Sequence, residues 1–201
     1  MCQAHMAALA DGLTRVEPEV SLSRGSHNIL GQRSEMSVNR DVLKRRKLEA
    51  LRKEILSTIP NAWLFPTKGK VQGFMGTSPV VFVAERPATG SFRGPGDRLY
   101  ALLEKSGAAN SHLTDVIKSR GKVGQPYPED ISPHRQIFDR EMKIVRPHLI
   151  VAFGQKVYDL LQFSLAGSGV KIRQVWHYSY AARWHGRGAA FEKQIQEALQ
   201  E

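Results

Sequence analysis

From Val42 to Thr58 apolar residues recur at Leu43, Leu48, Leu51, Ile55 and Leu56, with Lys44, Arg45, Arg46, Lys47, Arg52 and Lys53 between them. That spacing predicts a basic amphipathic helix, whose charges are either a solvated face or a DNA contact. The run Val80-Val81-Phe82-Val83-Ala84 is continuously β-branched and aromatic, the pattern of a strand buried on both faces, and Pro87 closes it. Gly94 to Ser106 carries Leu99, Leu102 and Leu103, a helix stopped by Gly107. Ser111 to Lys118 reads as a second strand and Ser132 to Val145 as a helix with Ile137, Met142 and Val145 inward. Leu149 to Phe153 is a third strand, followed by Gly154 and a helix through Phe163; Val170 to Trp176 is a fourth, and Arg187 to Leu199 a closing helix.

Strands that alternate with helices predict an α/β fold, three layers αβα around a central, mainly parallel four-stranded sheet. In such open sheets ligands bind outside the carboxyl ends of the strands. Glu85, Asp115, Lys118 and His177 fall at those ends. Residues 1 to 40 mix Gly, Ser, Pro, Asn and charge without periodicity, so a flexible leader is expected there and one domain over 41–201. After Pro60 the stretch holding Pro66-Thr67-Lys68-Gly69-Lys70 reads as a linker.

With 201 residues, 41% of them hydrophobic, the chain suffices for one sizeable core. A formal charge of +10 suits a polyanionic partner, since neutralised phosphates release counterions, although ribosomal, membrane-surface and simply soluble basic proteins share it. Cys2 is the single cysteine, which excludes a disulfide or a thiolate-held cluster within the chain and points to a reducing compartment. No apolar run approaches the ~20 residues of a membrane helix, and a secretory start is lacking. A cytoplasmic, nucleoid-associated protein without a membrane partner is expected.

Three ordered blocks resemble the uracil-DNA glycosylase superfamily, most closely its thermostable iron–sulfur branch. Val80 to Ala88, ending Ala84-Glu85-Arg86-Pro87-Ala88, is similar to that branch's strand ending in Gly-Glu-Ala/Gly-Pro-Gly. Leu113-Thr114-Asp115-Val116-Ile117-Lys118-Ser119-Arg120 resembles its Ile-Thr-Asn-Val-Val-Lys-Cys-Arg, and Arg146 to Gly154 its Lys-Pro-Lys-Ile-Ile-Val-Ala-Leu-Gly. His177-Tyr178-Ser179 resembles the His-Pro-Ser block before the final helix. The likeness spans Val80 to Leu199.

Excising a base requires flipping it out of the stack, stabilising the departing base anion and guiding water to the sugar. The resemblance implies His177 as the hydrogen-bond donor to the base; the alternative is a histidine that caps a strand end, and His185 is a weaker candidate. Glu85 suits the orientation of water and electrostatic support of the sugar, or else an ordinary salt bridge. Phe92 is expected to stack on the flipped base or to belong to the core. Ser179 is expected on a phosphate, with Tyr180, Arg183 and Trp184 as wedge and backbone contacts or a plain surface loop. Lys118 and Arg120 face phosphate or close the domain's own ion pairs.

Four positions depart from the resembling blocks. Ser119 replaces a cluster cysteine, so no cofactor is expected. Asp115 stands where an asparagine reads the base, and an ionised carboxylate offers acceptors only where the amide offers a donor as well. Arg86 replaces a small residue, to clamp a phosphate or to block the pocket. Tyr178 replaces proline, which frees φ in the His177 loop. The expected function is a monofunctional DNA glycosylase acting as a monomer on a damaged or deaminated base. The alternative is a DNA-binding member without catalysis. An α/β nucleotide hydrolase would need a Gly-rich phosphate loop or paired metal ligands, and neither pattern occurs.

Overall fold

The computed structural model describes residues 26–87, 92–121, 126–183 and 186–200, with side chains from Val38 onward except Arg183. The elements are α1 (Ser26–Thr58), β1 (Ser78–Ala84), α2 (Pro95–Lys105), β2 (Ser111–Asp115), α3 (Ser132–Val145), β3 (Leu149–Phe153), α4 (Gln155–Ser164), β4 (Lys171–Val175), α5 (Tyr178–Arg183) and α6 (Arg187–Gln200). Residues 1–25 of the expected leader lie outside the described residues, and α1 starts within it, at Ser26. Residues 26–41 contain no proline and one glycine, so nothing in them breaks a helix. They also lack an apolar stripe, which is why periodicity did not reveal one. Met1–Ser37 and Val38–Glu201 are separate units, and the packing below is that of the second.

The sheet has the order β2-β1-β3-β4, and every pair in it is parallel. Alternation divides each strand between two layers. Phe82, Ala84, Leu113, Val151 and Phe153 pack with Leu99 and Leu103 of α2 and Phe191 and Ile195 of α6. Val81, Val83, Ile150 and Ala152 pack with Leu48, Leu51 and Ile55 of α1, Ile137 and Phe138 of α3, and Leu161 of α4. Leu43 and Leu56, expected on the apolar stripe of α1, are exposed. The connections leave β1 in one direction to β2 and return past it to β3, so the crevice of a doubly wound sheet opens at the carboxyl ends of β1 and β3.

The stretch after Pro60 is core, not linker. Phe65 and Val71 enter one apolar layer and Phe74 the other. Phe65 accepts a backbone hydrogen bond from Phe74, and the turn at Gly73 (φ 58°) is so tight that a Cβ there would lie 2.3 Å from the Pro66 carbonyl oxygen. Only glycine fits that approach.

Lys118 is fully buried, which corrects the expectation that it meets phosphate. Its ammonium lies 2.8 and 2.9 Å from the two Glu141 oxygens on α3, donates to Thr114 Oγ1 at 2.7 Å and to the backbone carbonyl of Asp115. Thr114 Oγ1 in turn donates to Glu141 at 2.6 Å, and His112 Nδ1 meets the Phe74 carbonyl at 2.7 Å. Glu141 stays below the ordinary carboxylate range: burial pushes it up, but Lys118 and His112 together outweigh that. Removing one member of such a pair strands the other charge out of water. Glu141→Gln should therefore cost about 3–5 kcal/mol in chemical denaturation. The double variant Lys118→Met/Glu141→Leu, which buries no charge, should recover much of it.

Candidate active site

Glu85 stands one residue beyond β1, where the chain leaves the sheet, and it is partly exposed. Its Oε1 accepts from Tyr127 Oη at 2.6 Å and from Lys156 Nζ at 2.8 Å. Among the described residues Oε2 receives no hydrogen bond. Burial raises the Glu85 pKa, but the bonds from Lys156 and Tyr127, with the charges of Lys156 and Arg86, overcome this and hold it below the ordinary value. Reciprocally, Glu85 raises Lys156, while burial and then Glu85 raise the Tyr127 phenol. A carboxylate held so is ionised and weakly basic, suited to steady a positive charge more than to abstract a proton.

His177 follows β4 and is the N-cap of α5. The backbone N–H groups of Tyr180 and Ala181 donate to its carbonyl at 2.9 and 3.1 Å, while the Ser179 N–H donates to its Nδ1 at 3.2 Å. An imidazole nitrogen that accepts a backbone N–H carries no proton, so the neutral ring has its hydrogen on Nε2. Ser179 Oγ lies 2.8 Å from the same Nδ1 and donates to it as well. The hydroxyl expected to meet phosphate thus fixes the histidine instead. Tyr178, in place of proline, is the first residue of α5, where proline's missing N–H and fixed φ are an advantage but no necessity. Its ring stacks on His177 at 4.5 Å between centroids.

Between the two groups α4 begins. Gly154, at φ 92°, sits so close that a Cβ on it would be 4.0 Å from that of His177, and Lys156, two residues on, reaches Glu85. The carboxyl ends of β1, β3 and β4 are thereby joined around one crevice.

Asp115 ends β2 in register with Ala84. Alternation sends His112 and Thr114 toward Glu141 on α3 and leaves Asp115 on the face of Leu113, away from Lys118's head group. It is 2% exposed, and its Oδ2 is buried without a hydrogen-bond partner. Burial raises its pKa to about 8, although the charge of Lys118 opposes that; Glu141 adds to the rise. The phenols of Tyr100 and Tyr178 feel its charge, which places it beside the aromatic group where Phe92 meets Trp63 at 5.2 Å, Phe65 at 5.7 Å, Tyr100 at 5.2 Å and Tyr178 at 6.3 Å. Phe92 is half-buried, with one flank in the core. It lies on Gly96, where a Cβ would come within 2.4 Å of the ring.

Arg86 donates to the Pro126 carbonyl at 3.2 Å and lies 5.9 Å over Tyr127. It covers Gly121, whose absent Cβ would overlap the guanidinium. It thus pins the loop that carries Tyr127. Arg120 lies 5.4 Å over Trp63. Half-exposed Tyr180 packs on Trp176 and under Arg187. The side chain of Arg183, and Trp184 and His185 entirely, lie outside the described residues. His134 accepts the Lys118 backbone N–H on Nδ1 at 3.2 Å, and burial and then the Lys118 charge push its pKa down. A thiolate-held iron–sulfur cluster does not fit: Ser119 follows Lys118 and the chain's one cysteine is Cys2.

Residues 72–201 match the model of the Uracil DNA glycosylase superfamily. The chain belongs to that superfamily, whose members act on DNA and usually hydrolyse N-glycosidic bonds. No curated protein matches the chain. Among the described residues no helix is long and apolar enough to cross a membrane.

Tyr127 and Lys156 escaped the reading of the sequence. Lys156 opens the helix after β3, so the strand-end rule that selected Glu85 points to it too. Tyr127 sits in a loop between Pro126 and Pro128 and carries no local signal.

The Asp115 pKa sets a pH dependence of stability. A folded value near 8 against an ordinary 3.8 means that the folded state holds the proton more tightly. Stability is thus unaffected by this group in acid, falls as pH rises from about 4 to about 8, and levels off beyond. Asp115→Asn removes that decline. Denaturation of both proteins across the window should show the variant's relative stability growing with pH.

Proposed function

We propose that the protein is a monofunctional DNA glycosylase that flips a damaged or deaminated base and hydrolyses its N-glycosidic bond in base-excision repair. The observation that carries this reading is the Ser179 N–H on Nδ1 of His177, which leaves a neutral imidazole with its Nε2–H as the donor. Such a donor meets the negative charge that develops on a departing base without first having to lose or gain a proton. Glu85, ionised and held by Lys156 and Tyr127, orients water and steadies the positive sugar. The C1′–N bond breaks, C1′ bonds to the water oxygen, and the water's proton ends on the released base. Phe92 offers the flipped base a stacking face worth about 1–3 kcal/mol. Backbone N–H groups at the start of α5 and the Arg183 side chain are assigned to DNA phosphates.

Oligonucleotides each carrying one lesion (uracil, hypoxanthine or xanthine, single- and double-stranded) should yield alkali-labile breaks with at least one of them. His177→Ala should lower that rate by about 10²–10³-fold, the loss typical of a donor to developing charge, and Glu85→Gln should also impair it. A chain that binds DNA in a salt-dependent way but releases no base from the whole set is instead a non-catalytic member of the superfamily. The ion pair of Glu85 with Lys156 is the observation that favours that second reading.

Lys156 also sets an acid limit. Because it helps to hold the Glu85 pKa down, Lys156→Met should let that pKa rise. The acid limb of the pH–rate profile should then move to higher pH, measured in single-turnover excision.

A further inference from the structure

We infer that Asp115 acts as a neutral carboxylic acid whose O–H and C=O together read the ring carbonyl and adjacent ring N–H shared by deaminated bases. The inference rests on the glycosylase reading and names the group that would select the base.

The case begins with the buried charges around the end of β2. Two carboxyl groups, Asp115 and Glu141, are buried there with one ammonium, that of Lys118. Lys118 contacts both oxygens of Glu141, and what it takes from Asp115 is the backbone carbonyl, not the side chain. His112 stands beside Glu141 as well, on the α3 side of the sheet. On the opposite side Asp115 faces Tyr100 of α2 and Tyr178 of α5, whose phenols carry no positive charge. Glu85, just past its neighbour in register on β1, is a further anion, with its own partners in Lys156 and Tyr127. An ionised Asp115 would therefore be a second buried anion without a counter-ion, a far costlier arrangement than a neutral acid. Its pKa shift runs the same way.

Protonation changes what the residue recognises. An ionised carboxylate has acceptors only, and against a carbonyl beside a ring N–H it would leave two oxygens facing each other. A neutral acid has one donor and one acceptor about as far apart as those of an amide, so it matches that edge with two hydrogen bonds. Uracil, hypoxanthine and xanthine all present such an edge. The Oδ2 atom, buried and unpartnered in the free protein, is the polar group that a base would satisfy. Its neighbours Phe92 and Tyr178 supply the aromatic walls.

The test uses the full chain and an oligonucleotide with one 2′-fluoro-deoxyuridine, which resists hydrolysis, so that binding is read whether or not the protein is an enzyme. Between about pH 6 and about pH 9, wild-type affinity for this probe over an unmodified strand should fall about tenfold per pH unit once Asp115 ionises. Asp115→Asn, whose amide cannot ionise, should show no such slope whatever its affinity at neutral pH. Carbon-13 NMR of the Asp115 carboxyl in the unliganded protein should find it protonated at neutral pH. An ionised Asp115 in that spectrum, a wild-type profile without slope, or the same slope in the asparagine variant overturns the inference, as does tighter binding of 2′-fluoro-deoxycytidine. Base release whose pH profile is unchanged by Asp115→Asn leaves the glycosylase reading standing and removes this one. Asp115-dependent binding with no release from any lesion does the reverse.

Discussion

Lys118 reaches back beneath the end of β2 to a carboxylate on α3, and this buried pair decides much of what surrounds it. It ties the loop after β2 to the helix layer and engages Thr114, so the strand's last turn has a fixed course. It also consumes the one ammonium available to two buried carboxyl groups. Asp115, across the sheet, is left without a partner for its charge. A salt bridge buried this deeply gains little net stability over an apolar replacement. Its consequence here is geometric and electrostatic: it fixes where β2 ends and which carboxyl stays neutral.

The crevice is assembled from strand ends that the topology brings together. Glu85 comes from β1, Lys156 from the helix after β3, His177 from the end of β4 and Asp115 from β2. Each is then set by a short-range device. The helix cap at His177 selects the ring tautomer, the contacts from Lys156 and Tyr127 keep Glu85 charged, and the alternation of β2 turns Asp115 toward the aromatic rings. The two carboxyl groups thus differ in charge for a plain reason: Glu85 has a lysine and a phenol to donate to it, and Asp115 has neither.

Two departures from the superfamily's pattern take on a structural meaning. Tyr178 begins a helix at a position where proline is favoured but dispensable, and its ring extends the aromatic group beside His177. Arg86 leans on Tyr127 and over Gly121, holding the loop that supplies a ligand to Glu85. Ser179, expected on phosphate, holds the histidine instead.

The sequence by itself determined the order of strands and helices, because buried runs and helical spacing are local signals. Through the strand-end rule it also selected Glu85, Asp115 and His177. It missed α1 before Val42, where no apolar stripe marks the helix, and read Trp63 and Phe65 as linker despite their aromatic bulk. Only the tertiary structure decided the partners. Tyr127 and Lys156 lie 42 and 71 residues from Glu85, and Glu141 lies 23 from Lys118. Periodicity reports which face of its own element a residue occupies, but not which distant side chain meets it there. The burial of Lys118 and the lone carboxyl of Asp115 arise from such meetings, since the charge a buried group bears depends on its neighbours in space.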